Sequence, residues 1–192
     1  MEKSNIDRSW SLFLDRDGVI NEKIESDYVK RWEEFRFIPG SIAAIASLST
    51  IFSFIGIVTN QRGVGLGLMK EFDLKDIHLN MHLAIQKRGG RIDEIFYCAD
   101  VNYDSNNRKP KTGMALQAKN KFPKIDFTKS IMVGDQLSDM EFGRNAGMVN
   151  IFLGLSDIKV DLPSSLIDYK FENLFDFSLA LPSLPIAQCS KK

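Results

Sequence analysis

Ser11-Leu-Phe-Leu-Asp-Arg-Asp-Gly-Val-Ile-Asn21 is the stretch that decides the fold, because it places two carboxylates directly after a short apolar strand. Asp15 and Asp17 follow the predicted strand at the crevice where open α/β sheets bind ligands. Gly18 allows a sharp turn and a close approach of the backbone to a ligand. Two like charges this close favour sharing a divalent cation or a proton. For these two residues taken alone, an acidic surface turn is the alternative interpretation.

The composition indicates a single domain. The 192 residues are 44% hydrophobic, which is enough for one substantial core but not for two full domains. Lys plus Arg and Asp plus Glu each number 25, so no net field attracts nucleic acid or an anionic membrane. The only two cysteines, Cys98 and Cys189, are far apart, and we recognise no signal peptide, which favours a reducing compartment. We expect a cytoplasmic monomer with no nucleic-acid or membrane partner.

Short apolar runs alternate with amphipathic stretches, a pattern typical of a parallel sheet with crossover helices. The predicted strands are 11–14, 54–59, 94–98, 130–133 and 149–153, with a further short strand near 167–171. The predicted helices are 40–49, 70–88, 113–121 and 138–145. We therefore predict a doubly wound α/β fold with a minimal cap. Residues 1–177 form its single domain, 22–37 a small flap beside the carboxylates, and 178–192 a flexible tail.

Polar residues of complementary kinds follow the other predicted strands. Thr59-Asn60-Gln61 follows the second strand, Arg108-Lys109 precedes the third predicted helix, and Asp135 follows the fourth strand with Asp139 one helical turn later. Because the carboxyl ends of parallel strands meet at one edge of a sheet, these groups should converge and suit a phosphate. Taken singly, each is also explained as a helix cap, a turn or a solvated pair.

Four motifs in this order resemble the haloacid dehalogenase superfamily of phosphohydrolases. They are D-R-D-G-V-I-N from residue 15, V-T-N-Q-R-G-V-G-L-G from residue 58, R-K-P-K-T-G-M from residue 108 and M-V-G-D-Q-L-S-D-M from residue 132. The similarity covers about residues 11–154. It is greatest to the branch that contains the heptose 1,7-bisphosphate 7-phosphatases and the histidinol-phosphate phosphatases.

The resemblance implies a catalytic mechanism and a Mg²⁺ cofactor. Asp15 would be the nucleophile that forms an aspartyl-phosphate, and Asp17 would protonate the leaving oxygen and then deprotonate water. The Asp15 carboxylate, the Asp17 backbone carbonyl and Asp135 would hold Mg²⁺. Lys109 would stabilise the phosphoryl oxygens, and Asp139 would support Lys109 or a metal-bound water.

The resemblance also implies a set of substrate-binding residues. Hydrogen bonds to the phosphate would come from the polar run at the end of the second strand, and Arg108 would reach the substrate body or a second phosphate. Arg62 would partly replace an arginine that the family commonly carries in the stretch that reads Gly-Val-Gly-Leu-Gly here. The substrate-binding candidates are therefore Thr59, Asn60, Gln61, Arg62 and Arg108.

The sequence departs from the family at the zinc loop. Relatives usually carry Cys-x-His and Cys-x-Cys there, whereas the corresponding positions here are Cys98, Asp100, Ser105 and Asn107. One thiol cannot build a tetrahedral structural zinc site, so we expect no zinc. His78 and His82, at helical spacing, are a weaker metal candidate whose alternative is a partly exposed helix face.

These observations favour a Mg²⁺-dependent phosphomonoesterase acting on a small-molecule sugar phosphate, with heptose 1,7-bisphosphate as the first substrate hypothesis. Histidinol phosphate is the second. A catalytically silent sugar-phosphate-binding partner protein is the alternative from another class. An enzyme acting on nucleic-acid ends is disfavoured by the zero net charge and the lack of a basic stripe.

Overall fold

A computed structural model describes residues 5–154 and 164–186 and contains a six-stranded parallel sheet. In spatial order the strands run β3-β2-β1-β4-β5-β6. Their bounds are Ser11–Leu14 (β1), Phe54–Asn60 (β2), Glu94–Cys98 (β3), Ser130–Gly134 (β4), Val149–Leu153 (β5) and Tyr169–Phe171 (β6). The predicted doubly wound α/β fold is confirmed.

Helices cover both faces of this sheet. They are Ser41–Leu48 (α1), Arg62–Gly65 (α2), Glu71–Gln86 (α3), Gly113–Lys121 (α4), Leu137–Ala146 (α5) and Leu174–Ala180 (α6). Successive side chains of a strand point to opposite faces, so in β1 Leu12 and Leu14 join the core under α1, α3 and α6. Phe13, between them, joins the second core under α4 and α5. The near-continuous apolar character of β1 follows from burial on both sides.

The strand order reverses between β1 and β4. Chain connections leave β1 toward β2 on one side, whereas β4 and β5 lie on the other side. Such a switch point leaves a crevice beyond the carboxyl ends of the two central strands. Asp15 directly follows β1 and Asp135 directly follows β4, so both lie at this crevice.

The segment after β1 folds back over the sheet edge as the predicted flap. Short bridges join Asn21 to Asp17 and to Phe37, and so tie the two ends of the flap together. Within it, Trp32 stacks on Phe35 with ring centroids 5.1 Å apart, and Phe37 meets Phe35 edge-on at 4.9 Å. This aromatic cluster anchors the flap to the core.

The C-terminal part contains a helix that crosses the predicted domain boundary. The predicted boundary at 177/178 falls inside α6. Asn173 caps the start of this helix, because its side chain accepts a hydrogen bond from the backbone N–H of Asp176. Leu181 and Ile186 are buried in the core beside α1. We assigned these apolar residues to a flexible tail because two prolines follow the helix in the sequence. Residues 187–192 lie outside the described ranges.

None of the helices within the described ranges combines the length and the apolar character that crossing a lipid bilayer requires.

Candidate active site

Asp15 lies at the centre of the crevice and is almost fully buried. Its backbone N–H continues the sheet by donating to the Val133 carbonyl at 2.9 Å, so the strand fixes its position. The carboxylate Oδ1 lies 2.8 Å from Lys109 Nζ. Burial raises the pKa of Asp15 to about 6, against the opposing effect of the Lys109 charge. Asp15 is therefore a buried ionisable group with a perturbed pKa, and the neighbouring Lys109 cation favours its charged form.

Lys109 is buried, and its ammonium group makes one hydrogen bond and two ion pairs. Its ammonium donates to the Val58 carbonyl at 2.8 Å and forms ion pairs with Asp15 at 2.8 Å and Asp139 at 2.7 Å. Burial lowers the pKa of Lys109, but the Asp139 and Asp15 charges outweigh burial and raise it above its usual range. Lys109 is therefore a fixed positive charge beside the Asp15 carboxylate.

The Asn60 side chain holds the loop that carries Lys109. Its Oδ1 accepts from the Lys109 backbone N–H at 3.1 Å, and its Nδ2 donates to the Lys109 carbonyl at 3.3 Å. Sequence reasoning assigned this amide to the phosphate. In the structure this amide holds the Lys109 backbone, and its contact with a phosphate stays a prediction.

The Asp17 carboxylate faces a set of hydrogen-bond donors. One Arg16 nitrogen lies 2.9 Å from both of its oxygens, and Asn21 Nδ2 and Gln61 Nε2 each donate to it at 2.9 Å. Burial raises the pKa of Asp17, but the Arg16 charge and these hydrogen bonds outweigh burial and lower the pKa below its usual value. Without a substrate, Asp17 is therefore held as an oriented carboxylate.

Three carboxylates form an acidic cluster that suits a divalent cation. One oxygen each of Asp15, Asp135 and Asp139 lies within 4.8 Å of the others. Burial and the Asp15 charge raise the pKa of Asp135, and its buried Oδ1 finds no hydrogen-bond partner within the described residues. A Cβ on Gly18 would approach Asp135 Oδ2 to 2.4 Å, so only glycine leaves this oxygen accessible. Hard oxygen ligands of this kind favour Mg²⁺ or Ca²⁺.

A cavity of about 230 Å³ opens over these groups. Its lining includes the carboxylates, the buried Lys109 and the half-buried Arg108. The flap supplies one wall through Lys23, Ile24, Asp27, Tyr28 and Val29. Lys23 Nζ lies 3.3 Å from Asp135 Oδ2, which places a flap cation next to the acidic cluster.

Most of the predicted site residues converge on this cavity, but two lie outside its lining. Those that line it are Asp15, Asp17, Thr59, Asn60, Arg108, Lys109, Asp135 and Asp139. Gln61 lies behind Asp17, where its Nε2 also donates to Thr59 Oγ1 at 2.9 Å. Arg62 packs on Tyr103, with its Nη1 2.6 Å from the phenol oxygen. Sequence reasoning missed Arg16 and Tyr103, although the arginine between the two aspartates was a visible signal. It considered His78 only as a metal candidate or as part of a partly exposed helix face, whereas His78 is buried against Arg16.

The zinc-loop positions form a hydrogen-bonded turn. Ser105 Oγ donates to Asp100 Oδ2 in a short hydrogen bond, and Cys98 Sγ lies 3.7 Å from the same oxygen. Asn107 joins through its backbone N–H, which donates to Ser105 Oγ at 3.3 Å. A serine and an aspartate thus organise the turn around Cys98.

Comparisons with known proteins show which family this chain resembles. Residues 106–155 match the model of the HAD-hydrolase-like family. The chain is 35% identical over 173 residues to D-glycero-alpha-D-manno-heptose-1,7-bisphosphate 7-phosphatase of Mycobacterium tuberculosis, covering 90% of this chain and 91% of the relative. It is 32% identical over 182 residues to D-glycero-beta-D-manno-heptose-1,7-bisphosphate 7-phosphatase of Haemophilus influenzae, covering 91% and 97%.

A solved structure shows the same similarity. The crystal structure of D,D-heptose 1,7-bisphosphate phosphatase from B. bronchiseptica, complexed with magnesium and phosphate, superimposes with a TM-score of 0.80 at 30% identity. The match covers 90% of this chain and 97% of that one. The chain therefore belongs to the haloacid dehalogenase superfamily, in the same family as these relatives, and it is a phosphatase.

Proposed function

We propose that this phosphatase is Mg²⁺-dependent and removes the 7-phosphate from D-glycero-D-manno-heptose 1,7-bisphosphate through an aspartyl-phosphate on Asp15. The observation that carries the proposal is the buried carboxylate of Asp15, 2.8 Å from Lys109 and next to Asp135 at the switch point of the sheet. The substrate is inferred from the relatives, whose names specify this bisphosphate. Both anomers occur among them, and the proposal covers either one.

The proposed reaction has two displacements. A carboxylate oxygen of Asp15 attacks phosphorus, the bond from phosphorus to the sugar oxygen breaks, and Asp17 gives that oxygen its proton. Water then attacks the acyl-phosphate, Asp17 takes the proton from this water, and the bond from phosphorus to Asp15 breaks to release inorganic phosphate. Asp17 is ionised in the free enzyme, and the charge of an arriving phosphate dianion raises its pKa toward the protonated form that the first step needs.

Residues of the site also stabilise the negative charge of the phosphoryl group. Lys109 stabilises its oxygens from a position fixed by Asp139 and by the Asn60 side chain. Asp15, Asp135 and the Asp17 carbonyl are the ligands we propose for Mg²⁺. When bound, Mg²⁺ supplies positive charge that offsets the repulsion between the nucleophile and the phosphate.

Arg108 is suited to the phosphate that does not react. It lines the cavity next to Lys109, and its buried Nη1 has no protein partner within the described ranges. Its guanidinium lies 5.1 Å from the centre of the Tyr103 ring, which orients it without using its hydrogen-bond donors. A forked cation with free donors fits an anion at the rim of the site.

Replacing Arg108 should therefore separate bisphosphate from monophosphate substrates. We expect Arg108→Ala to raise KM for the sugar bisphosphate about 10- to 150-fold, the equivalent of losing a charged hydrogen bond of about 1.5 to 3 kcal/mol. The variant should handle a simple aryl phosphate almost as well as the parent enzyme. Steady-state kinetics on both substrates measure this, with the exposed Arg88→Ala as the matched control. An equal loss of activity on both substrates would indicate that Arg108 contacts the reacting phosphoryl group instead.

Metal analysis tests the cofactor and the altered zinc loop together. We expect chelation to abolish turnover and Mg²⁺ to restore it while the protein stays folded, because the acidic cluster lies on a preformed sheet edge. Elemental analysis of the purified protein should show no stoichiometric zinc. One tightly bound zinc per chain, or unfolding on chelation, contradicts our interpretation of the turn around Cys98.

The Asp15 pKa makes the effect of Mg²⁺ on stability depend on pH. Because burial raises this pKa from 3.8 to about 6, the folded apo-protein binds a proton more tightly than the unfolded chain, and its stability falls as pH rises between these values. A cation favours the ionised carboxylate, so its stabilising effect is nearly complete a unit or more above this pKa and shrinks as pH falls through it.

Thermal unfolding with and without Mg²⁺ measures this coupling. At about pH 7.5 and 100-fold excess over Kd, we expect Tm to rise by about 5 to 10 °C. At about pH 5 the rise should be about half as large, since protons compete for Asp15. The same rise at both pH values would contradict the coupling between a raised Asp15 pKa and metal binding by Asp15.

A further inference from the structure

A buried arginine–histidine pair lies directly behind Asp17. Arg16 is 1% exposed and His78, which lies on α3, is 7% exposed. Arg16 Nη1 lies 3.2 Å from His78 Nε2, and Arg16 Nη2 contacts both oxygens of Asp17 at 2.9 Å. The guanidinium therefore bridges an imidazole on one side and the catalytic carboxylate on the other.

This contact determines which nitrogen of His78 carries the proton. A guanidinium has only donors, so the nitrogen that faces it must act as the acceptor. His78 is therefore the neutral tautomer with the proton on Nδ1. Burial, assisted by the Arg16 charge and opposed by the Asp17 charge, lowers the pKa of His78 to about 3. The imidazole thus keeps its acceptor nitrogen over the whole pH range in which the enzyme is expected to work.

We propose that His78 is a positioning residue: as a neutral acceptor it anchors Arg16, and through Arg16 it fixes the Asp17 carboxylate for proton transfer. This inference rests on the proposed function, because it assigns Asp17 its role in that reaction. Arg16 Nε is already buried with no partner among the described residues, so the loss of His78 would leave a second buried nitrogen without an acceptor. The guanidinium would then move, and the carboxylate that it holds would move with it.

Misplacing Asp17 has a kinetic signature that general damage does not have. The first step needs a proton donor only when the leaving group is poor, as a sugar alkoxide is. An activated aryl phosphate such as 2,4-dinitrophenyl phosphate can phosphorylate Asp15 without that proton. Hydrolysis of the aspartyl-phosphate still needs Asp17 as a base for either substrate.

The test compares His78→Leu, which removes the acceptor, with His78→Gln, whose amide oxygen restores one near the Nε2 position. With Mg²⁺ present, we expect His78→Leu to lose about 10- to 100-fold in steady-state kcat on both substrates. With the aryl phosphate, His78→Leu should still release one equivalent of the phenol per active site in an initial burst. The rate of this burst should be within about threefold of that of the parent enzyme. We expect His78→Gln to recover most of the lost kcat. His82→Leu, one helical turn away on α3, is the matched control and should resemble the parent.

Several outcomes would overturn the proposal. A burst rate that falls as much as kcat indicates general damage to the site, and an unchanged kcat indicates that Arg16 needs no anchor. Failure of His78→Gln to recover activity shows that the acceptor is not what matters. If the parent enzyme hydrolyses no sugar phosphate but shows the burst with the aryl phosphate, the substrate assignment fails, while the effect of His78 on the second step can still be measured.

A spectroscopic measurement tests the tautomer independently of substrate and of variants at His78. The chain has two histidines, so the His82→Leu variant leaves a single imidazole, that of His78. We expect a long-range ¹H–¹⁵N spectrum to show a protonated Nδ1 and an unprotonated Nε2. A proton on Nε2, in either the neutral or the charged ring, would place two donors face to face and overturn the proposal.

Discussion

Asp15→Asn should lower turnover of every phosphomonoester by more than about 1,000-fold, which corresponds to about 4 kcal/mol or more of activation free energy. The reason is that a carboxamide cannot form the acyl-phosphate. The fold should persist, because the backbone of residue 15 is held by the Val133 carbonyl and an amide oxygen can still accept from Lys109. Steady-state kinetics with Mg²⁺ and an unfolding curve measure the two effects separately.

The matched control for this variant is Asp104→Asn, since the Asp104 side chain is 94% exposed and lies outside the cavity lining. It should keep the parent's kcat. Activity of Asp15→Asn within about tenfold of the parent, only about 1.4 kcal/mol, would refute Asp15 as the nucleophile.

Lys109→Met should have the second-largest effect, and it should act on both rate and stability. Methionine fills similar space but leaves the carboxylates of Asp15 and Asp139 buried without their shared cation. Breaking a buried ion pair from one side costs about 3 to 5 kcal/mol of the free energy of unfolding. Loss of a fixed cation at the phosphoryl group should also lower kcat by about 100-fold or more for every substrate alike.

Lys111→Met serves as the control, because Lys111 is half-exposed and lies 3.8 Å from the exposed Asp104. It should change the free energy of unfolding by less than about 1 kcal/mol. A Lys109→Met enzyme that is slow only on the bisphosphate would show that Lys109 binds the distal phosphate and does not stabilise the transferring group.

The parts of the site that follow from the sequence are those fixed by strand ends. The central strands of this sheet read as short apolar runs, and the polar residues after them, such as Asp15 and Asp135, must lie on one edge. Convergence of the acids with Lys109 could therefore be predicted without knowing any distance between them.

The sequence does not predict the contacts of the site in which side chains meet from positions far apart in the chain. His78 is 62 residues from Arg16 in the sequence. Helical spacing shows which residues share a face of α3 with His78, but it does not show that this face contacts an arginine. In the same way, the residue type of Asn60 suits both a phosphate and a backbone amide, and only the structure shows that its side chain contacts the Lys109 backbone. Helix α6 was missed because its seven residues are too few for a clear helical period.

The central claim is that this site removes one particular phosphate from a sugar bisphosphate. ³¹P NMR of a reaction with D-glycero-D-manno-heptose 1,7-bisphosphate and Mg²⁺ tests it most directly, with histidinol phosphate as the competing substrate. We expect the 7-phosphate signal to be replaced by inorganic phosphate while the anomeric 1-phosphate remains, with kcat/KM at least about 100-fold above that for histidinol phosphate. Release of the 1-phosphate, faster consumption of histidinol phosphate, or no release from the bisphosphate would contradict it.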